Sequence, residues 1–303
     1  MAGRPNFFII GAPKCGTTAL SAYLREHPRV YMSQPKEPHF FGSDLDYYYA
    51  PGHAALAHYL ELFDRAGPEH LAVGEASVWY LYSTEAVREI HAFDPAARLI
   101  AMVRDPVELV PSLHSQLRYT LDEDQPSVEV AWRLQGERAA GRRLPATVRV
   151  PRFLQYAEAA RLGAQLRRVY ATFPREQVKV VALDDLRADA GAVYRDVLAF
   201  LGVPDDGRTH FPRINENKVH RAGALARLTQ RPPRVLVDAA GVVKRAARVE
   251  RLGVLERVRR RNRDVRRREA IDPAFERELR EHFRADVEEL GALIGRDLAA
   301  LWG

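Results

Sequence analysis

A single cysteine, Cys15, is all that the 303-residue chain contains. That excludes an intrachain disulfide and any zinc site built on several thiolates, and it makes the cytoplasm the expected compartment. Long apolar runs are also missing. None approaches the ~20 residues that cross a bilayer. No leader peptide is expected, because the first apolar run, Phe7–Ile10, leads straight into a glycine loop. A chain-wide charge bias is missing too. The net charge is +6, but residues 244–268 hold 12 Arg/Lys against 3 Asp/Glu, and the remainder holds 34 against 37. The basic character therefore belongs to one segment, and a nucleic-acid partner is not expected for the whole chain. What is present, 47% hydrophobic and 28% charged residues, suits a globular chain with a full core.

The most informative stretch is FFIIGAPKCGTT, residues 7–18. Four apolar residues read as a buried strand, and Leu20, Tyr23 and Leu24 give the following segment a helical period. Between them lies Gly11-Ala12-Pro13-Lys14-Cys15-Gly16-Thr17-Thr18. Strand, glycine loop and helix form a phosphate cradle, in which backbone N–H groups and the helix dipole converge on one anion. The glycines have the separation of a nucleotide P-loop, GxxxxGK[ST], but Thr17 stands at the lysine position and the lysine has moved to Lys14. A hydroxyl at position 17 cannot bridge β- and γ-phosphates as an ammonium does, so the loop suits a phosphate better than Mg-ATP.

Further strands are expected at 30–32, 71–73, 98–103 and 178–183. They alternate with helices expected at 17–27, 53–65, from Pro106, 152–172 and 191–201, the last stopped by Gly202. Residues 33–41 carry Pro35 and Pro38 and read as a loop, and 119–150 as a polar segment. The basic stretch 244–268 is expected to be helical. From Asp272-Pro273 a helix with Phe275, Leu279, Phe283, Val287, Leu290 and Ile294 on one face should dock on the core and run to the end. The alternation predicts an α/β, P-loop-type three-layer fold with a mainly parallel central sheet flanked by helices. We expect one domain over 1–303, with a basic segment at 230–270 and a docking helix at 272–302.

Ligands of parallel sheets sit at the carboxyl ends of the strands. Four strands here end in chemistry: the loop at 11–18, Lys36-Glu37, Glu75 with Ser77, and Arg104 followed eight residues later by Ser112. An arginine at a strand end and a serine on the next helix make a second phosphate clamp, which points to a bis-phosphorylated nucleotide. The sequence resembles PAPS-dependent sulfotransferases, especially the carbohydrate (heparan sulfate) branch and its bacterial relatives. IIGAPKCGTTAL is similar to that family's 5′-phosphosulfate loop, RLIAMVRDPVELVPSLHS to its 3′-phosphate motif, and KEPHFF to the segment carrying its catalytic glutamate. GEASVWYL, YRDVLAFLGV and the 215–221 stretch are similar to further family segments, with Ala76 standing where the heparan branch often has lysine.

The resemblance implies in-line transfer of a sulfuryl group from PAPS to an acceptor hydroxyl or amine, with PAP as product and no metal. It assigns Lys14 and Glu37 to catalysis, Lys14 on the leaving phosphate and Glu37 as general base. It assigns Ala12, Pro13, Lys14, Cys15, Gly16, Thr17 and Thr18 to the 5′-phosphate, and Arg104, Ser112, Lys218 and Arg221 to the 3′-phosphate. Lys36, His39, Glu75 and Ser77 are the candidates facing the acceptor, with Lys36 able to stand in for the lysine missing at Ala76. Glu75 stays open as an alternative base, and His39 reads equally as a structural residue. The acceptor is a small molecule, a lipid or a sugar. Two other readings remain: a P-loop kinase, which would need Asp105 or Asp184-Asp185 on a metal, and a binding protein whose 244–268 segment grips nucleic acid or anionic lipid. Peripheral contact of that segment with an anionic surface is compatible with the enzyme reading as well.

Overall fold

The computed structural model describes residues 3–45, 56–214 and 270–303, together with the backbone of 218–220 and 263–265. Strand β1 (Phe7–Gly11) is wholly buried, as its apolar run requires, and leads through the loop into α1 (Thr17–Arg25). Strand β2 (Val30–Met32) follows, then a short helix α2 (Leu56–Leu60), strand β3 (Ala72–Ala76), α3 (Ala86–Phe93) and strand β4 (Arg98–Val103). Helix α4 (Pro106–Tyr119) starts where Asp105 Oδ1 accepts the Val107 N–H and Pro106 takes the first turn.

The polar stretch after α4 contains two short helices, α5 (Val128–Arg133) and α6 (Gln135–Ala139). The single helix expected over 152–172 is in fact three pieces: a 3₁₀ turn at Pro151–Leu154, α7 (Tyr156–Ala160) and α8 (Leu162–Tyr170). The reason for the break lies elsewhere in the chain. The Asp286 carboxylate accepts from Gly163 N at 2.9 Å and Ala164 N at 3.0 Å, and so caps the start of α8. A Cβ at Gly163 would come within 2.4 Å of the Asp286 carbonyl oxygen. Strand β5 (Val178–Ala182) runs directly into α9 (Leu183–Ala188), followed by α10 (Ala190–Leu201) with Gly202 as its C-cap.

All five of these strands are parallel, in the order β2-β3-β1-β4-β5, with β1 central. The parallel α/β expectation therefore holds. The chain moves from β1 out to β2, back through β3, and then across β1 to β4. That reversal opens a crevice beyond the carboxyl end of β1. Two further strands, β6 (Lys218–His220) and β7 (Arg263–Val265), pair antiparallel. The expectation of a helix over 244–268 thus fails at 263–265, where the backbone makes ladder bonds; the rest of that segment lies outside the described residues.

Helix α11 (Pro273–Ile294) starts as expected, with Asp272 Oδ1 accepting from Ala274 N and Phe275 N. It does not run to the end. Gly295 takes a left-handed conformation and stops it, and a short α12 (Leu298–Trp302) follows. Phe275, Leu279, Phe283 and Leu290 are buried in the common core, and Val287 and Ile294 pack at its edge. Each full burial of such a side chain is worth about 1.5–3 kcal/mol, which is how the α11 stripe docks the helix. Among the described residues no helix is long and apolar enough to cross a membrane.

Candidate active site

The loop joining β1 to α1 turns on residues with positive φ, Lys14 at 65° and Gly16 at 90°. Gly16 is the N-cap of α1 and brings no side-chain acceptor, so the first-turn amides of Thr17 and Thr18 face the crevice. At Gly16 a side chain would be strained by φ, and its Cβ would lie 2.9 Å from Leu183. Ala12 is a correction to the predicted cradle. Its N–H donates to the Met102 carbonyl at 2.7 Å and belongs to the sheet, so it has no donor left for a phosphate. The Cys15 thiol is buried and pushed up to about 12 by burial, against the pull of Arg104 and Lys14. A buried thiol held in its protonated form is a poor nucleophile, and what Cys15 offers a phosphate is its backbone. Lys14 Nζ donates to Gln116 Oε1 on α4 at 3.2 Å.

Arg104 leaves the end of β4 nearly buried. Its Nη1 donates to the Lys14 carbonyl at 3.1 Å, which ties the two predicted phosphate motifs together. Its Nε and Nη2 donate to Glu108 Oε2 at 3.0 and 2.5 Å. Arg187 on α9 reaches the same oxygen from the other side, at 3.1 and 3.2 Å. Burial raises the Glu108 pKa, and the two guanidiniums bring it below the ordinary value. Glu108 and Arg187 were missed by sequence reasoning. A signal existed for Glu108, which lies four residues from both Arg104 and Ser112 and so shares their face of α4. Nothing local pointed to Arg187. Ser112 is buried on α4. Only the backbone of Lys218 is described, and Arg221 lies outside the described residues.

The KEPHFF loop runs on from β2 beside β3, and the Glu37 N–H donates to the Ala76 carbonyl at 3.1 Å. Glu37 keeps about a third of its side chain exposed (34%). Its carboxylate pairs with Lys36 Nζ through Oε1 and lies 3.4 Å from His39 Nε2 through Oε2. Burial works to raise its pKa, yet His39 and Lys36 bring it down to about 2. His39 is buried, which pushes its own pKa down.

Behind this loop sits Glu75, with no exposed surface. Its Oε1 accepts from Tyr59 OH at 2.9 Å and Tyr80 OH at 2.8 Å, and its Oε2 accepts from Ser77 Oγ at 2.6 Å. Burial raises it to about 7 in spite of these bonds. Ser77 is equally buried. The expectation that Glu75 and Ser77 face the acceptor is therefore corrected: both lie behind the loop, and every carboxylate oxygen of Glu75 is engaged inside the protein. The acids that a kinase would need are engaged as well. Asp105 caps α4, Asp184 accepts from Trp302 Nε1 at 2.9 Å, and Asp185 pairs with Arg296.

Comparison with known proteins gives a consistent result. Residues 4–218 match the sulfotransferase domain family. Mouse carbohydrate sulfotransferase 15 is 30% identical over 249 residues, covering 66% of this chain and 44% of that protein. Human heparan sulfate glucosamine 3-O-sulfotransferase 6 is 38% identical over 112 residues, 37% of this chain and 30% of that one. The chain thus spans less than half the length of these curated relatives. The crystal structure of a sulfotransferase from Alicyclobacillus acidocaldarius superposes with a TM-score of 0.69 at 28% identity, covering 98% of both chains.

Proposed function

The chain belongs to the sulfotransferase family, and from that premise we propose that it moves a sulfuryl group from PAPS to a hydroxyl or amine of a small-molecule, lipid or sugar acceptor, releasing PAP. The observation that carries this reading is the 3.1 Å bond from Arg104 to the Lys14 carbonyl. It brings two anion-binding motifs, 90 residues apart in sequence, into one crevice. The residues fit such a donor. Arg104 and Arg187 already seat the Glu108 carboxylate between them, which is the chemistry needed to hold a 3′-phosphate.

When bound, PAPS supplies an activated sulfuryl group on a 5′-phosphate leaving group. The chain's own work is positioning and charge. The amides of Thr17 and Thr18 and the Lys14 ammonium face the 5′-phosphate and offset the charge that grows on it. Arg104, Ser112 and Arg187 would hold the 3′-phosphate, which would take the place Glu108 now fills between the two guanidiniums. Glu37 is ionised throughout the neutral range and takes the acceptor's proton. Lys36 lowers its basicity while the two remain paired. Were Lys36 drawn to the donor's sulfuryl group, Glu37 would be left a stronger base.

Calorimetric titration tests this. PAP should bind without metal, and ADP, which lacks the 3′-phosphate, more weakly by at least tenfold. Arg104→Ala should weaken PAP by about 1.5–3 kcal/mol, the worth of a bond to a charged group. Glu37→Gln should bind PAP normally while turnover collapses. Equal affinity for PAP and ADP, or an unaffected Arg104→Ala variant, would refute the donor assignment.

A further inference from the structure

The buried carboxylate behind the loop carries more than a stability role. Each of the three residues whose hydroxyls donate to Glu75 also contacts a different residue of the segment that follows Glu37, two through the hydroxyl and one through its ring. Ser77 Oγ, which donates to Oε2, accepts the His39 N–H at 3.0 Å. Tyr80 OH, which donates to Oε1, accepts the Phe41 N–H at 3.2 Å. Tyr59, whose hydroxyl donates to Oε1, lays its ring on Phe40 with 4.2 Å between centroids and 12° between planes. One carboxylate thus organises three consecutive residues, 39 to 41, immediately beyond the base.

We propose that Glu75 is a positioning residue of the sulfuryl-transfer site: it orients two hydroxyls and one aromatic ring that together hold the 37–41 loop, and so Glu37, at the crevice. The polarity of the hydroxyls makes the argument specific. Each has one proton. Above about pH 7, where Glu75 is ionised, that proton is aimed at a carboxylate, which only accepts, and the oxygen lone pairs of Ser77 and Tyr80 face the loop amides, so the comparison with Glu75→Gln is made above pH 7. A donor at position 75 reverses this. In Glu75→Gln the volume is unchanged, but the new NH₂ group must face either Ser77 or the two tyrosines. The hydroxyl it faces then accepts from it and no longer has a carboxylate to receive its own proton; where that proton turns toward the loop N–H, two donors oppose each other and the loop bond is weakened. Ser77→Ala removes the His39 bond alone, and Tyr80→Phe the Phe41 bond alone.

This inference rests on the reading of Glu37 as the base. Amide hydrogen exchange resolved by NMR, run beside PAP titration on the same proteins, tests it without needing the acceptor. Ser77→Ala should speed exchange at His39 at least tenfold and leave Phe41 unchanged. Tyr80→Phe should do the converse, and Glu75→Gln should release at least one of the two. Amides of the central strands β1 and β4 should keep their protection, and PAP affinity should stay within about twofold. Unchanged protection at both His39 and Phe41 in Glu75→Gln would overturn the proposal, as would a uniform loss of protection that includes β1 and β4. A wild-type chain that fails to bind PAP would instead refute the function on which the proposal rests, so the two failures are distinguishable.

Discussion

Two buried carboxylates are held by opposite means. Glu75, under the active-site loop, meets three neutral hydroxyls and no cation within bonding distance. Glu123, in the segment after α4, is gripped by both Nη groups of Arg138 at 2.6 and 2.7 Å, by Tyr156 OH at 2.7 Å, and by the amides of Asp124 and Gln125. Burial pushes both pKa values up. It wins at Glu75, raised to about 7, and loses at Glu123, where Arg138 and the other donors bring the value below normal. A guanidinium fixes the charge state of one region, whereas hydroxyls leave the other near its titration point. The first arrangement suits a scaffold. The second suits a loop two of whose backbone bonds depend on which way hydroxyl protons point.

The largest test of this contrast is Arg138→Met, which leaves the Glu123 carboxylate in the core without its cation. It should cost roughly 3–5 kcal/mol in denaturant unfolding, and the double variant with Glu123→Leu should recover most of that loss. A cost under about 1 kcal/mol would mean that the pair is not fixing the charge. The next test is pH. The raised Glu75 retains its proton in the folded state to about pH 7, while the unfolded chain releases it near 4.5. Its contribution is full below pH 4.5 and is lost as pH rises to about 7, by up to about 3 kcal/mol. Comparing the pH dependence of stability in wild type and Glu75→Gln should show this fall only in wild type. Glu37, lowered to about 2, acts in the reverse sense: its contribution is present above pH 4.5 and fades as pH drops toward 2. The smallest effects are single hydroxyl deletions. Tyr156→Phe and Tyr59→Phe should each cost about 1–2 kcal/mol. Only Tyr59→Phe should also extend the pH-dependent fall upward, because Glu75 loses a donor that favours its charged form.

What could be read from the chain differs between these same regions. Asp105-Pro106, Asp272-Pro273 and Gly202 mark helix ends correctly because a cap is a local bargain between one side chain and the next turn. The strands whose ends carry polar residues were legible because each is a short apolar run bounded by them. The break before α8 was not legible, since its cause is Asp286, more than 120 residues further on. Nor was the Glu75 hub. Ser77 reads as a candidate facing the acceptor, and nothing local ties Tyr59 or Tyr80 to it, until the sheet brings all three against one carboxylate. Ala12 looked like part of the cradle, and only the pairing of β1 with β4 shows that its N–H is already used.

The sequence by itself determined the parallel α/β plan, the phosphate loop with its displaced lysine, and the order of the motifs, because these depend on periodicity and on residues adjacent in the chain. Tertiary structure alone decided the meaning of the charged residues. It seated Glu108 between Arg104 and Arg187, locked Glu123 to Arg138, and shut Glu75 away behind the loop that presents Glu37. A carboxylate is written the same way in every sequence. Its charge and its role come from the donors around it and from the water taken away, and both are set only when distant segments pack.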